Sequence, residues 1–220
     1  MHSSLSGFYI NIHMSYSEFS FEDLKNKLNL NLREVERIIE RLEPRKPSQL
    51  IQETLKENLP IALGIDTEKA RSEMIVVPVL IELRKQCNRQ ISLFSGIDLN
   101  IDKSKGLNGV CDFIISHSSE QLFLKSPVFT VVEAKNDNIK SGIPQCISEM
   151  VAAQIFNRKK NNSIPCIYGT VTTGSIWKFI KLKNDDVEIE MREHFIENLE
   201  SLLGILVEIV RVTNPIIQTL

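Results

Sequence analysis

No two cysteines are spaced as CxxC, and no histidine stands beside a cysteine at the spacing of a zinc site. Cys87, Cys111, Cys146 and Cys166 lie 24, 35 and 20 residues apart. They read as reduced core thiols of an intracellular protein rather than as a disulfide framework. His2, His13, His117 and His194 are scattered along the chain, which argues against a Cys/His metal cage. An excess of charge is also missing. Lys and Arg total 26 against 28 Asp and Glu, a net charge of -2, which excludes a protein that coats duplex through bulk positive charge. A nuclease remains open, because it needs only a local basic surface. The longest apolar run, Ile75–Ile81, is too short to span a bilayer. Met1 to Asn11 has no basic segment followed by a long apolar one, so a cytoplasmic location is the default expectation. Internal repeats and low-complexity stretches are absent.

What is there is an ordinary globular composition: 220 residues, 42% hydrophobic and 25% charged. The length suits one domain with a small appendage. Phe8, Ile10 and Ile12 alternate as in a short strand or a tail. Phe21, Leu24 and Leu28 share one helical face. Leu32, Val35, Ile38, Ile39 and Leu42 share another, with Asn31 and Glu34 as a capping pair. Two prolines in Glu43–Ser48 break that pattern. Leu50, Leu55 and Leu59 predict one more helix before Pro60. Residues 1–60 are thus expected to form a helical extension, and residues 61–220 the main domain.

Asp66-Thr-Glu-Lys69 opens a long helix running to about Cys87, with a kink or two abutting helices expected at Pro78. Three strands are predicted next, at Gln90–Asp98, Val110–Ser116 and Val128–Ala134. The third is an almost continuous apolar run suited to the middle of a sheet. A helix is predicted over Ile143–Asn157, then a hairpin of Ile167–Thr172 and Ile176–Leu182 turning at Thr173-Gly174. An amphipathic helix over Glu193–Arg211 closes the order, with Ile196, Leu199, Leu203, Leu206 and Val210 as its stripe. This sequence of elements predicts an α/β fold with a mixed central sheet flanked by helices.

Three ionisable residues fall where strands should be apolar. Asp112 lies in Gly109-Val-Cys-Asp-Phe-Ile-Ile115. Glu133 and Lys135 follow Phe129-Thr-Val-Val132. Burying a lone carboxylate is costly, so it calls for a partner or a metal. Residues i and i+2 of a strand share a face, which puts Glu133 with Lys135. Adjacency of the second and third strands would bring Asp112 to them. Two hard oxygen ligands suit Mg²⁺, a metal acidifies a bound water, and a neighbouring lysine can orient that water and stabilise charge on a phosphate.

Asp112, twenty intervening residues, and then Glu133-Ala-Lys135 resemble the motif of the PD-(D/E)XK nuclease superfamily. The resemblance runs from about Asp66 to Leu182. It implies the restriction-endonuclease-like core of helix, three strands, helix and strand. It also implies a Mg²⁺- or Mn²⁺-dependent deoxyribonuclease that leaves a 5′-phosphate. Asp112, Glu133 and the backbone carbonyl of Ala134 would hold the metal, and Lys135 would position the water. A carboxylate on the family's first helix matches Glu73, with Glu82 the alternative. A glutamine on the helix after the lysine matches Gln145, or else Gln154. The tyrosine that often follows that glutamine is replaced by Glu149, which favours an endonuclease over an exonuclease.

DNA is the implied partner, with Lys140 the first basic candidate to meet it. Lys103, Lys105, Arg158, Lys159, Lys160, Lys178, Lys181 and Lys183 are further basic groups. Trp177 reads as core rather than as a base-stacking platform. The last helix packs in the core or forms the seam of a homodimer. The alternative reading of the whole is a catalytically inactive nuclease-like domain that serves as a nucleic-acid-binding or assembly module.

Overall fold

The computed structural model describes residues 14–162 and 164–214. The alternation at Phe8, Ile10 and Ile12 lies outside the described residues.

Helix α1 (Phe21–Leu28) starts at a reciprocal cap. The Ser20 hydroxyl accepts the Asp23 amide at 3.1 Å, and the Asp23 carboxylate accepts the Ser20 amide at 3.0 Å, satisfying donors the helix itself leaves open. The next expected helix is instead a strand, β1 (Asn31–Val35). Leu32 and Val35 suit either structure. The decision falls to tertiary pairing, which overrides a weak local preference: β1 runs parallel to a strand late in the chain, Leu32 opposite Val187.

Helix α2 (Gln49–Ile65) continues through Pro60 rather than ending before it. Pro60 and Lys56, whose carbonyl loses its bond, lie on the exposed face. Ile51, Leu55 and Ala62 anchor the buried side. Thr67, not Asp66, caps the following helix α3 (Glu68–Arg71), while Asp66 ends α2 in the left-handed conformation. A π turn, Ser72–Val76, joins α3 to α4 (Val77–Gln86). This wide turn precedes Pro78, whose missing amide would orphan the carbonyl of Met74. The Asn58 side chain donates to that carbonyl at 2.8 Å.

Strands β2 (Ser92–Asp98), β3 (Val110–Ser116) and β4 (Val128–Ala134) follow. Then come α5 (Ile139–Lys159), β5 (Ile167–Thr172), β6 (Ile176–Lys183), β7 (Asp186–Glu190), β8 (His194–Phe195) and α6 (Leu199–Thr213). The expected last helix thus begins six residues late, because β8 and a short 3₁₀ turn, Ile196–Asn198, precede it. Strand β7 was not anticipated, although Val187 and Ile189 alternate inward along it.

Among the described residues the strands form one eight-stranded mixed sheet, ordered β1-β7-β6-β5-β4-β3-β2, with β8 also paired to β6. The β4–β5 and β1–β7 pairs are parallel and the rest antiparallel. All seven residues of β4 are buried, as its apolar run requires. Helices α2, α4 and α6 cover one face over Phe113, Phe129, Val132, Trp177 and Phe179. Helices α1 and α5 cover the other over Ile114, Val131, Val171 and Ile180.

The stripe of α6 is consumed in this core. Leu203, Leu206 and Val210 are each no more than 1% exposed, so each contributes roughly 1.5–3 kcal/mol within a single chain. Trp177 is fully buried, and its indole N–H donates to the Gly174 carbonyl at 2.8 Å. All four cysteines are buried and free. Among the described residues no helix is long and apolar enough to cross a membrane.

Candidate active site

The site gathers where β3 and β4 part company. Their register is continuous from Ile114 and Val131 to Phe113 and Val132, and the pairing ends there. Beyond it, the Asp112 side chain takes over, its Oδ2 accepting the Ala134 amide at 2.8 Å. Val132 and Ala134 face the α4 and α6 layer, so alternation turns Glu133 and Lys135 toward α5.

Helix α5 can come close because residue 142 is glycine. A Cβ there would stand 2.8 Å from the Val171 side chain and 3.2 Å from the stem of Lys135. The Lys135 ammonium donates to Glu133 Oε1 at 2.6 Å and to Gln145 Oε1 at 3.4 Å. The Gln145 amide donates onward to Glu149 Oε1 at 3.2 Å. One polar chain therefore runs from the strand to Glu149, about three turns into α5.

Burial sets the electrostatics. Glu133 is 1% exposed, and burial, aided by the nearby Asp112 charge, pushes its carboxyl up to about 7 against the pull of Lys135. Burial also raises Asp112, with the Ala134 amide opposing. Burial pulls the Lys135 ammonium down, but the Glu133 charge and hydrogen bond outweigh it, and the net shift is upward. Glu149 is fully buried. Desolvation and the Glu133 charge hold it well above the usual carboxylate range. Among the described residues, Oε2 of Glu133 and Oε2 of Glu149 have no hydrogen-bond partner.

Asp112, Glu133, Lys135 and Gln145 are thus brought together, with Ala134 between them and its amide committed to Asp112. Glu73 is not brought in. Its side chain is 62% exposed and pairs with Lys69 at 3.8 Å. The helix carboxylate whose charge reaches Glu133 and Lys135 is Glu68, at the first turn of α3. Glu82 is elsewhere as well: it accepts from the Ser48 amide at 3.0 Å, the Ser48 hydroxyl at 2.7 Å and Gln86 at 3.0 Å. Gln154 donates to the Asn184 carbonyl at 3.2 Å. Glu149 was read in the sequence only as the replacement of a tyrosine, although a glutamate between Ile147 and Met150 on a buried helix face was a visible signal.

Among the described residues, no three carboxylate, imidazole or thiol groups enclose one point as a finished metal cage. Nearby, exposed Lys140 on the first turn of α5 and half-buried Lys178 border a groove of about 460 Å³ floored by Ile139, Ile143 and Ile189. Several basic groups are engaged locally: Lys178 donates to the Met191 carbonyl at 3.1 Å, Lys181 pairs with Glu188 at 3.2 Å, and Lys159 donates to the Ile101 carbonyl at 3.2 Å.

Comparison with protein-family models, with curated proteins and with solved structures gave no match.

Proposed function

We propose that this chain is a Mg²⁺- or Mn²⁺-dependent nuclease with a restriction-endonuclease-like core, an endonuclease that hydrolyses phosphodiester bonds of DNA. The observation that carries this reading is the meeting of Asp112, Glu133, Lys135 and Gln145 at one end of the two central strands, with Glu133 Oε2 buried and without a partner.

These residues fit a hard divalent ion. The donors are carboxylate oxygens, and few protein ligands suffice for an ion that keeps several waters. Asp112 and Glu133 would hold it, with the Ala134 carbonyl beside them. When bound, the ion supplies Lewis acidity and acidifies a coordinated water. Lys135, fixed by Glu133 and Gln145, orients the attacking water and stabilises charge building on the phosphate. Gln145 keeps Lys135 in place. Lys140 and Lys178 offer phosphate contacts at the groove.

A specific feature favours the alternative of an inactive nucleic-acid-binding or assembly module: Lys135 already neutralises Glu133 without a metal. Plasmid nicking separates the two. With Mg²⁺ or Mn²⁺ the wild-type chain should nick supercoiled DNA, Glu133→Gln should abolish nicking, and Lys135→Met should slow it by roughly 10²–10³-fold. Retained DNA binding with no nicking at any metal concentration would select the inactive module.

A further inference from the structure

The buried carboxyl of Glu149 has no role in the chemistry above. It lies one helical turn beyond Gln145 and is fully buried. Gln145 satisfies its Oε1 at 3.2 Å. The Glu133 charge acts on it directly and raises it, and Oε2 of each is buried with no partner. Lys135 compensates only Oε1 of Glu133, at 2.6 Å. Two orphaned carboxylate oxygens from different elements, a strand and a helix, are costly together unless a cation or a shared proton joins them.

We propose that Glu149 is itself a ligand of the divalent ion, joining Glu133 and Asp112 in an all-oxygen set for Mg²⁺ or Mn²⁺. This rests on the metal-site reading above and adds a residue to it. The three carboxylates do not enclose a common point as the side chains stand, so binding turns them toward the ion. The competing role is a neutral acid that donates a proton to Glu133. Glutamine tells the two apart: its amide can still donate to Glu133, but its carbonyl is uncharged and a weak substitute ligand.

The test is calorimetric titration of Mn²⁺ into the full chain, with the spectrum of bound Mn²⁺ followed by electron paramagnetic resonance and folding checked by circular dichroism. Glu149→Gln should bind Mn²⁺ at least about tenfold more weakly and alter the resonance line shape. Glu149→Asp, which keeps a carboxylate and serves if the glutamine variant does not fold, should fall between it and wild type. Affinity within twofold of wild type in both variants, together with binding lost in Glu133→Gln, would overturn the role of Glu149 and leave the metal site standing. No Mn²⁺ binding by the wild-type chain, even with DNA present, would remove both.

Discussion

The Asp112 carboxylate stands in for a rung of the sheet, accepting the Ala134 amide at 2.8 Å beyond the last paired residues of β3 and β4. One side chain thus holds the strands together and sets its charge beside Glu133. The two duties can be separated. Asparagine at 112 retains an oxygen for the Ala134 amide and should cost under about 1 kcal/mol of stability. Alanine leaves a buried amide unpaired and should cost about 1–3 kcal/mol. Both should lose nicking. Urea denaturation beside the plasmid assay checks this, and equal stability of the two variants would show that the bond does not matter to the fold.

Gly142 lets α5 approach the strand carrying Glu133. In Gly142→Ala the new methyl meets the Val171 side chain at 2.8 Å and the Lys135 stem at 3.2 Å. Ordinarily Gly→Ala inside a helix is stabilising by roughly 1 kcal/mol. Here overpacking should reverse the sign, to a net loss of about 1–2 kcal/mol, and shift Lys135 away from Glu133. Chemical denaturation gives the sign, and a stabilised variant would show that the helix can yield.

Ser48 joins α2 to α4 by donating amide and hydroxyl to the buried Glu82. Burial pushes Glu82 up, but the Gln86 and Ser48 hydrogen bonds prevail and hold it below its ordinary value. Ser48→Ala removes the hydroxyl bond and the cap of α2. It should cost about 1–3 kcal/mol with nicking per folded molecule unchanged, because Glu82 lies outside the site. A selective loss of activity at full stability would return Glu82 to the chemistry.

His117 stacks on Phe129, ring centres 4.0 Å apart, and shares a hydrogen bond of 2.8 Å with Thr213. Burial pushes its imidazole down from 6.5 to about 4. Between those values the unfolded chain binds a proton that the folded chain refuses, so stability falls as pH drops, by about 1.4 kcal/mol per pH unit. Below pH about 4 the loss stops growing. Glu133, held up to about 7, has the opposite sign: its contribution is complete below its ordinary value of 4.5 and is lost as pH rises to about 7. The two nearly cancel in wild type over their common range. The difference in stability between wild type and His117→Gln isolates the histidine, and should change by about that slope between pH 6.5 and 4. Parallel pH curves would overturn it.

The strands that bear the site were legible because their burial is two-sided. Val110–Ser116 and Val128–Ala134 are mostly apolar runs, and their bounds agree with expectation. The meeting of Glu133 with Lys135 followed from the two-residue repeat. The errors have a different origin. Leu32 and Val35 fit a helix as well as a strand, and only β7, far along the chain, decides between them. Glu73 was matched to a carboxylate on the first helix of the resembled family, whereas here that side chain stands in solvent and pairs with Lys69. Glu149 was passed over because it replaced an expected tyrosine, when the cost of burying a carboxylate was the better guide.

The pairing of β1 with β7 has a consequence for how the molecule is assembled in time. Asn31 and Asp186 are neighbours across the ladder but 155 residues apart along the chain. Joining them closes a loop that contains most of the other elements, the kind of distant contact that slows folding. On a ribosome, β1 emerges early and waits without its partner until β7 has been synthesised. The sheet can therefore grow from its centre, where β3, β4 and β5 adjoin, and the first of the described strands to be made becomes the last to dock.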